Sequence, residues 1–222
     1  MNNIFDVNNN LVRDDLDPWS LYRQLDKYTF RHCENVAEYA KILAQLAVDM
    51  RLYDEITEDQ IVHIKNGVIY HDIGKIYLNQ GLLNNRNELT FQERQEIRRH
   101  VEYGLEIFTD ILRTSNTNQS TQIFLDVVLR SIAQHHERFD GNGYPNKLKG
   151  YEISVVGRIC ALCDYYDALT SDRPYRMSLS HEYVMLKIKN ESGAMFDPLL
   201  VDLMIDHQFV FKNKLAELRH LN

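Results

Sequence analysis

The chain has 222 residues, 44% of them hydrophobic, and a formal net charge of −7. A chain this long removes roughly 70% of its unfolded surface from water, enough for one sizeable core. The acidic balance argues against a protein that coats DNA, yet leaves room for a small anionic ligand at a local cation site.

Three cysteines (Cys33, Cys160 and Cys163) cannot build a disulfide framework. The opening MNNIFDVNNN has neither the basic nor the apolar part of a secretion signal. No apolar run approaches the roughly 20 residues that span a bilayer. A cytoplasmic protein without a membrane span is the expectation.

Residues 1–18 are rich in Asn and Asp and end at Pro18, which predicts a loose lead-in to a single domain over 19–222. A helix is predicted over about 28–50, where Cys33, Val36, Ala40, Leu43, Ala47 and Met50 recur by threes and fours. His32 lies at the edge of that stripe. A second helix, over about 57–72, has Thr57 as N-cap and Ile61, Ile64, Val68 and Ile69 on its apolar face, and it ends at His71-Asp72. Thr90 followed by Glu93 is a capping-box pair that opens a third helix carrying Ile97, Val101 and Leu105, with His100 on its inward face. RTSNTNQS at 113–120 is predicted to be an exposed loop.

A fourth helix over about 121–138 carries Phe124, Val128 and Ile132, with His135 and His136 near its end. The segment 139–152, FDGNGYPNKLKGYE, breaks helical period with Gly141, Gly143, Pro145 and Gly150 and predicts a structured loop. A fifth helix over about 154–170 carries Asp164. Its C-x-x-C, Cys160 and Cys163, reads as two small core residues one turn apart. Shorter helices follow over about 180–191 and 199–209. Strand-like alternation is nearly absent, so the fold class is all-α.

Taken singly, each histidine reads as a core or boundary residue. Together, His32, His71, His100, His135 and His136 with Asp72 and Asp164 are costly to bury in one bundle unless something pairs with them. Divalent cations do so, and imidazole with carboxylate, without thiolate, suits iron or manganese rather than structural zinc. Asp72 has two oxygens with which to bridge two ions, and two metals can clamp a phosphate. Lys75, one turn on, adds positive charge at the same point; alone it would read as a solvated lysine at a helix end.

At these residues the chain resembles a known family. His71-Asp72-Ile73-Gly74-Lys75 resembles the HD-x-x-K motif of HD-domain phosphohydrolases. The run from His135 to Pro145, HHERFDGNGYP, is similar to the signature of the HD-GYP subfamily. The run from Asp164 to Arg176, DYYDALTSDRPYR, and the later Phe196-Asp197-Pro198 match two further motifs of that subfamily. The resemblance covers about 28–209 and implies an HD-domain helical bundle with a Gly/Pro-rich GYP loop. It implies one metal held by His32, His71, Asp72 and Asp164, and a second held by Asp72, His100, His135 and His136. It places Lys75, Tyr144, Arg173 and Arg176 against substrate, the arginines being suited to paired contacts with phosphate oxygens. By themselves, Arg173 and Arg176 also read as a cation pair at a helix C-terminus.

The activity so implied is a metal-dependent phosphodiesterase acting on a cyclic dinucleotide. Cyclic di-GMP comes first, converted to linear pGpG and in some members on to GMP. Hydroxide bridging two metals is the nucleophile, with Asp72 and Lys75 as catalytic residues. Some members bind a third metal through a glutamate where this chain has Tyr28, so two divalent ions, iron or manganese, are expected. The segment Gly81 to Leu89 lacks a Pro-Gly usual in the family, which alters the rim of the pocket. No sensor domain is seen ahead of the catalytic unit, so control by an attached input domain is not expected. The alternatives are 3'3'-cGAMP or a nucleotide as substrate, and a regulatory module that binds a signalling protein such as a diguanylate cyclase. A di-iron oxygenase fits the HD ligands but not the GYP loop and the arginine pair.

Overall fold

The computed structural model describes residues 18–85, 87–114, 118–172 and 177–220, and the expected all-α class is borne out. Among these residues the helices are α1 (Pro18–Tyr22), α2 (Lys27–Asp49), α3 (Glu58–Val68), α4 (Gln80–Leu83), α5 (Phe91–Arg98) and α6 (His100–Thr114), followed by α7 (Gln119–Gln134), α8 (Val155–Thr170), α9 (His181–Asn190), α10 (Pro198–Asp206) and α11 (Gln208–His220). Pro18, expected to end the lead-in, opens α1 instead, and the rest of the lead-in lies outside the described residues.

Helix starts follow the caps. The Asp26 side chain accepts from the N–H groups of Tyr28 and Thr29. Thr57 and Gln60 form a capping box, as do Thr90 and Glu93. Such caps satisfy donors that the first turn leaves orphaned. The apolar stripe of α2 is buried as predicted at Cys33, Val36, Ala40, Leu43 and Ala47; Met50, the C-cap, is 59% exposed and does not belong to it.

Helix α2 packs on α3 and α8, and α7 packs on α3, α6 and α8. Helix α8 is buried almost all round, as a central helix must be, and both cysteines of its C-x-x-C lie in the core. One core gathers side chains from α2, α3, α8, α9, α10 and α11; a second gathers Cys33, Ile73, Val101, Val128 and Ile132 around α6 and α7. The seam between them receives the five histidines and two aspartates singled out above.

Three predicted helices stop short, each beside a candidate ligand. The second ends at Val68, and His71-Asp72 occupies a turn leading into a short 3-10 helix, Ile73–Tyr77. The third is interrupted at Arg99, so His100 opens a new helix. The fourth ends at Gln134, with His135 as its C-cap and His136 in the following turn, so the adjacent pair does not project from a continuous helix. The first two breaks meet at Gly74. A Cβ there would lie 1.9 Å from the His100 carbonyl oxygen and 2.7 Å from the Gly104 nitrogen, so only glycine permits the approach.

Candidate metal centre

His32 reaches the seam from α2, His71 and Asp72 from the turn after α3, His100 from the start of α6, His135 and His136 from the end of α7, and Asp164 from α8. The structure brings all seven together in two groups. Ligand-type atoms of His32, His71 and Asp164 lie within 4.8 Å of one another, as do those of Asp72, His100, His135 and His136.

Asp72 stands between the groups, 2% exposed. Its Oδ2 lies 3.5 Å from His71 Nε2 and 4.0 Å from His32 Nε2; its Oδ1 lies 3.3 Å from His100 Nε2 and 3.8 Å from His135 Nε2. Lys75 Nζ donates to Oδ2 at 2.5 Å. Burial alone would raise the Asp72 pKa, but Lys75 and then His71 hold it well below the usual carboxylate range.

The tautomers follow from the backbone. His71 Nδ1 lies 3.0 Å from the Val68 carbonyl, His100 Nδ1 2.6 Å from that of Ile97, and His135 Nδ1 2.8 Å from that of Ser131. A carbonyl only accepts, so each Nδ1 carries a proton and each ring turns its Nε2 toward the centre. Burial keeps His100 and His136 neutral, their pKa values lowered to about 4 and about 3, and drives His135 down as well. The 3.3 Å contact between His100 Nε2 and His135 Nε2 is therefore two facing lone pairs rather than a hydrogen bond.

This donor set fits cations. His71 Nε2 and Asp72 Oδ1 are buried without a hydrogen-bond partner, and lone pairs converge there on a carboxylate with no proton to share. Such an arrangement repels itself until a positive charge occupies its centre.

His32 is held differently. Its Nδ1 lies 2.7 Å from Asp167 Oδ2 and its Nε2 2.9 Å from Asp164 Oδ1. Burial works to lower its pKa, but these two carboxylates outweigh it and raise the value to about 9. Asp167 is fully buried and also accepts from Asn35 Nδ2 at 2.9 Å and Ser171 Oγ at 3.0 Å. Sequence reasoning gave Asp167 and Asn35 no role. Their signal was helical spacing: Asp167 lies one turn after Asp164, and Asn35 one turn after His32, each on its partner's face.

The GYP loop is a built object. Glu137, 2% exposed, accepts from the backbone N–H groups of Asn146 (2.7 Å) and Leu148 (3.1 Å). Phe139 and Asp140 donate their N–H groups to the carbonyls of Met195 and Ala194, which ties the loop to the segment before Phe196-Asp197-Pro198. Asp197 caps α10 and accepts from Tyr53 and from Arg158. The late motif thus supports the loop and does not enter the centre. Tyr144 stacks on His136 with ring centroids 4.6 Å apart, and the Arg98 guanidinium lies 4.5 Å from the Tyr144 ring; sequence reasoning had passed over Arg98. Arg173 and Arg176 lie outside the described residues.

A cleft of about 790 Å³ reaches the centre, with His32, Lys75 and Asp167 among its walls together with Arg31, Asn84 and Asn85. Tyr28, in the position of the third-metal glutamate, also lines it. Among the described residues no helix is long and apolar enough to cross a membrane.

Comparison with known proteins accords with this geometry. The sequence profile of the HD domain family matches residues 23–200. The chain is 34% identical over 179 residues to the 3'3'-cGAMP-specific phosphodiesterase 2 of Vibrio cholerae, covering 81% of this chain and 31% of that protein. It is 30% identical over 194 residues to a cyclic di-GMP phosphodiesterase of Thermotoga maritima, covering 87% of this chain and 48% of that protein. The chain thus spans about a third to a half of the length of these curated relatives. Its fold is similar to that of an HDGYP protein from Bdellovibrio bacteriovorus, with a TM-score of 0.58, 14% identity, and coverage of 86% of this chain and 57% of that one. By the matched profile and the motifs at the candidate metal centre, the chain belongs to the HD domain family.

Proposed function

We propose that the chain is a phosphodiesterase of the HD-GYP type that binds two divalent cations, iron or manganese, and opens a cyclic dinucleotide. Cyclic di-GMP is the first substrate and linear pGpG the product. The observation that carries the reading is Asp72, whose two oxygens face two separate sets of imidazole nitrogens. His32, His71, Asp72 and Asp164 would hold one cation, and Asp72, His100, His135 and His136 the other. Divalent cations bound there supply Lewis acidity toward a phosphoryl oxygen and a water acidified to near neutral pH.

The chain's own residues do the rest. Lys75 has three donors, so its ammonium keeps Asp72 while a second N–H reaches a non-bridging phosphate oxygen and stabilises the charge developing there. The partly buried Tyr144, fixed beside His136 by the loop that Glu137 pins, offers its ring edge or hydroxyl to a nucleotide. Arg173 and Arg176 are assigned to substrate phosphate through the motif they share with the family. A cleft of about 790 Å³ falls in the size range of small-molecule sites. The names of the relatives supply the substrate class, since they include phosphodiesterases for both cyclic di-GMP and 3'3'-cGAMP. The hybrid dinucleotide is accordingly the second reading.

The test pairs elemental analysis of anaerobically purified protein with product analysis on cyclic di-GMP and on 3'3'-cGAMP. Two equivalents of metal and release of a linear dinucleotide are expected. Asp72→Ala should lower metal content and cut turnover at least about 100-fold, because a bridging ligand matters more than the outer partners whose loss costs 10–100-fold. Full turnover in that variant refutes the assignment.

A further inference from the structure

Cys33 follows His32 on α2 and is fully buried. A buried cysteine ordinarily needs no explanation beyond packing, and Cys160 and Cys163 have none. Cys33 differs from them in what its sulfur faces. Its Sγ, a nitrogen of His71 and an oxygen of Asp72 all lie within 4.8 Å of one another. Two atoms of the neighbouring residues, His71 Nε2 and Asp72 Oδ1, are buried with no hydrogen-bond partner. No cluster of this kind among the described residues includes Cys160 or Cys163.

We propose that Cys33 supplies a thiolate ligand to the cation held by His71 and Asp72, making that half of the centre a mixed imidazole, carboxylate and sulfur site that favours zinc, cobalt or ferrous ions over manganese. The reasoning that iron or manganese suits the centre assumed a ligand set without sulfur, and one soft donor changes the ranking. As the sulfur–cation bond forms, the S–H proton leaves to solvent, so each cation bound this way releases one proton. Burial first, and then the charge of Asp72, hold the thiol well above its ordinary range, so the sulfur keeps its proton until a cation displaces it. The inference rests on the proposed function only in requiring that this site take up a cation; it is indifferent to the substrate.

The test uses the full chain stripped of metal and reloaded with cobalt(II). Thiolate bound to cobalt gives an intense near-ultraviolet charge-transfer band, while cobalt bound by nitrogen and oxygen alone shows only weak visible bands. The wild-type chain should show the intense band, Cys33→Ser should lose it, and Cys160→Ser and Cys163→Ser should keep it. Cys33→Ser should also bind zinc at least about 10-fold more weakly while changing manganese binding little. X-ray absorption on the wild-type zinc-loaded chain needs no variant and should find a sulfur scatterer at about 2.3 Å. Bound cobalt without the intense band, or a first shell free of sulfur, overturns the role of Cys33 and leaves the phosphodiesterase reading standing. Failure to bind any cation overturns both.

Discussion

Asp167→Asn is the substitution that tests the centre most sharply, because it changes one atom and no volume. In the native arrangement Oδ2 of Asp167 takes the proton on His32 Nδ1 at 2.7 Å, while Oδ1 accepts from Asn35 at 2.9 Å and Ser171 at 3.0 Å. An asparagine has one oxygen for these three donors. If its oxygen stays with Asn35 and Ser171, its amide N–H faces His32 Nδ1, which must then give up its proton and leave Nε2 protonated and unable to ligate. If the amide turns over, its N–H group meets the Asn35 amide donor in a fully buried site, although the Ser171 hydroxyl can rotate to accept. An unsatisfied buried donor costs about 1–3 kcal/mol, and loss of a carboxylate behind a ligating histidine costs about 10–100-fold in metal affinity or activity. Urea denaturation of the metal-free chain reads the first quantity, and competitive metal titration reads the second. Wild-type metal affinity in a folded Asp167→Asn variant would refute the reasoning, since the tautomer of His32 could not then depend on Asp167.

Gly74→Ala should destabilise by at least about 1–3 kcal/mol, because the new methyl would sit 1.9 Å from the His100 carbonyl and overpacking against backbone is not relieved by rotamer changes; an unchanged melting temperature would show the approach to be looser than described. Glu137→Gln leaves one of two loop N–H groups facing an amide donor, so a raised KM with a smaller change in kcat is expected, and a wild-type KM would remove Glu137 as the anchor of the Tyr144 loop. The metal-free chain should have a dome-shaped dependence of stability on pH. His100 and His136 have folded pKa values of about 4 and about 3, below the unfolded value near 6.5, so the unfolded state binds more protons and stability falls as pH drops from about 6.5 toward 4. His32, raised to about 9, stabilises fully below about 6.5 and loses that contribution as pH climbs through 9. Thermal melts across this range check both limbs, and a flat profile would contradict the assignment of charge states.

Much of this protein is written in local pattern. The stripe on α2, the N-cap at Thr57, the capping box at Thr90, and the glycines after Glu137 each depend on neighbours a few residues away, so helix class, helix starts and the existence of a structured loop were legible without coordinates. The seven polar residues were legible for a different reason: apolar faces reach the interior, so charged and imidazole groups set on those faces must meet there. Tertiary structure decided where the helices stop and how the ligands are aimed. The ends at Val68, Arg98 and Gln134 obey no residue signal, because they arise where Gly74 lets one backbone press on another and where carbonyls of the last turns take the Nδ1 protons. Asp167 behind His32, the sulfur of Cys33 beside Asp72, and Arg98 over Tyr144 involve contacts between segments far apart in the chain. Composition and periodicity establish which face a residue occupies, whereas pairings of this kind are set by the distances between helices once they have packed.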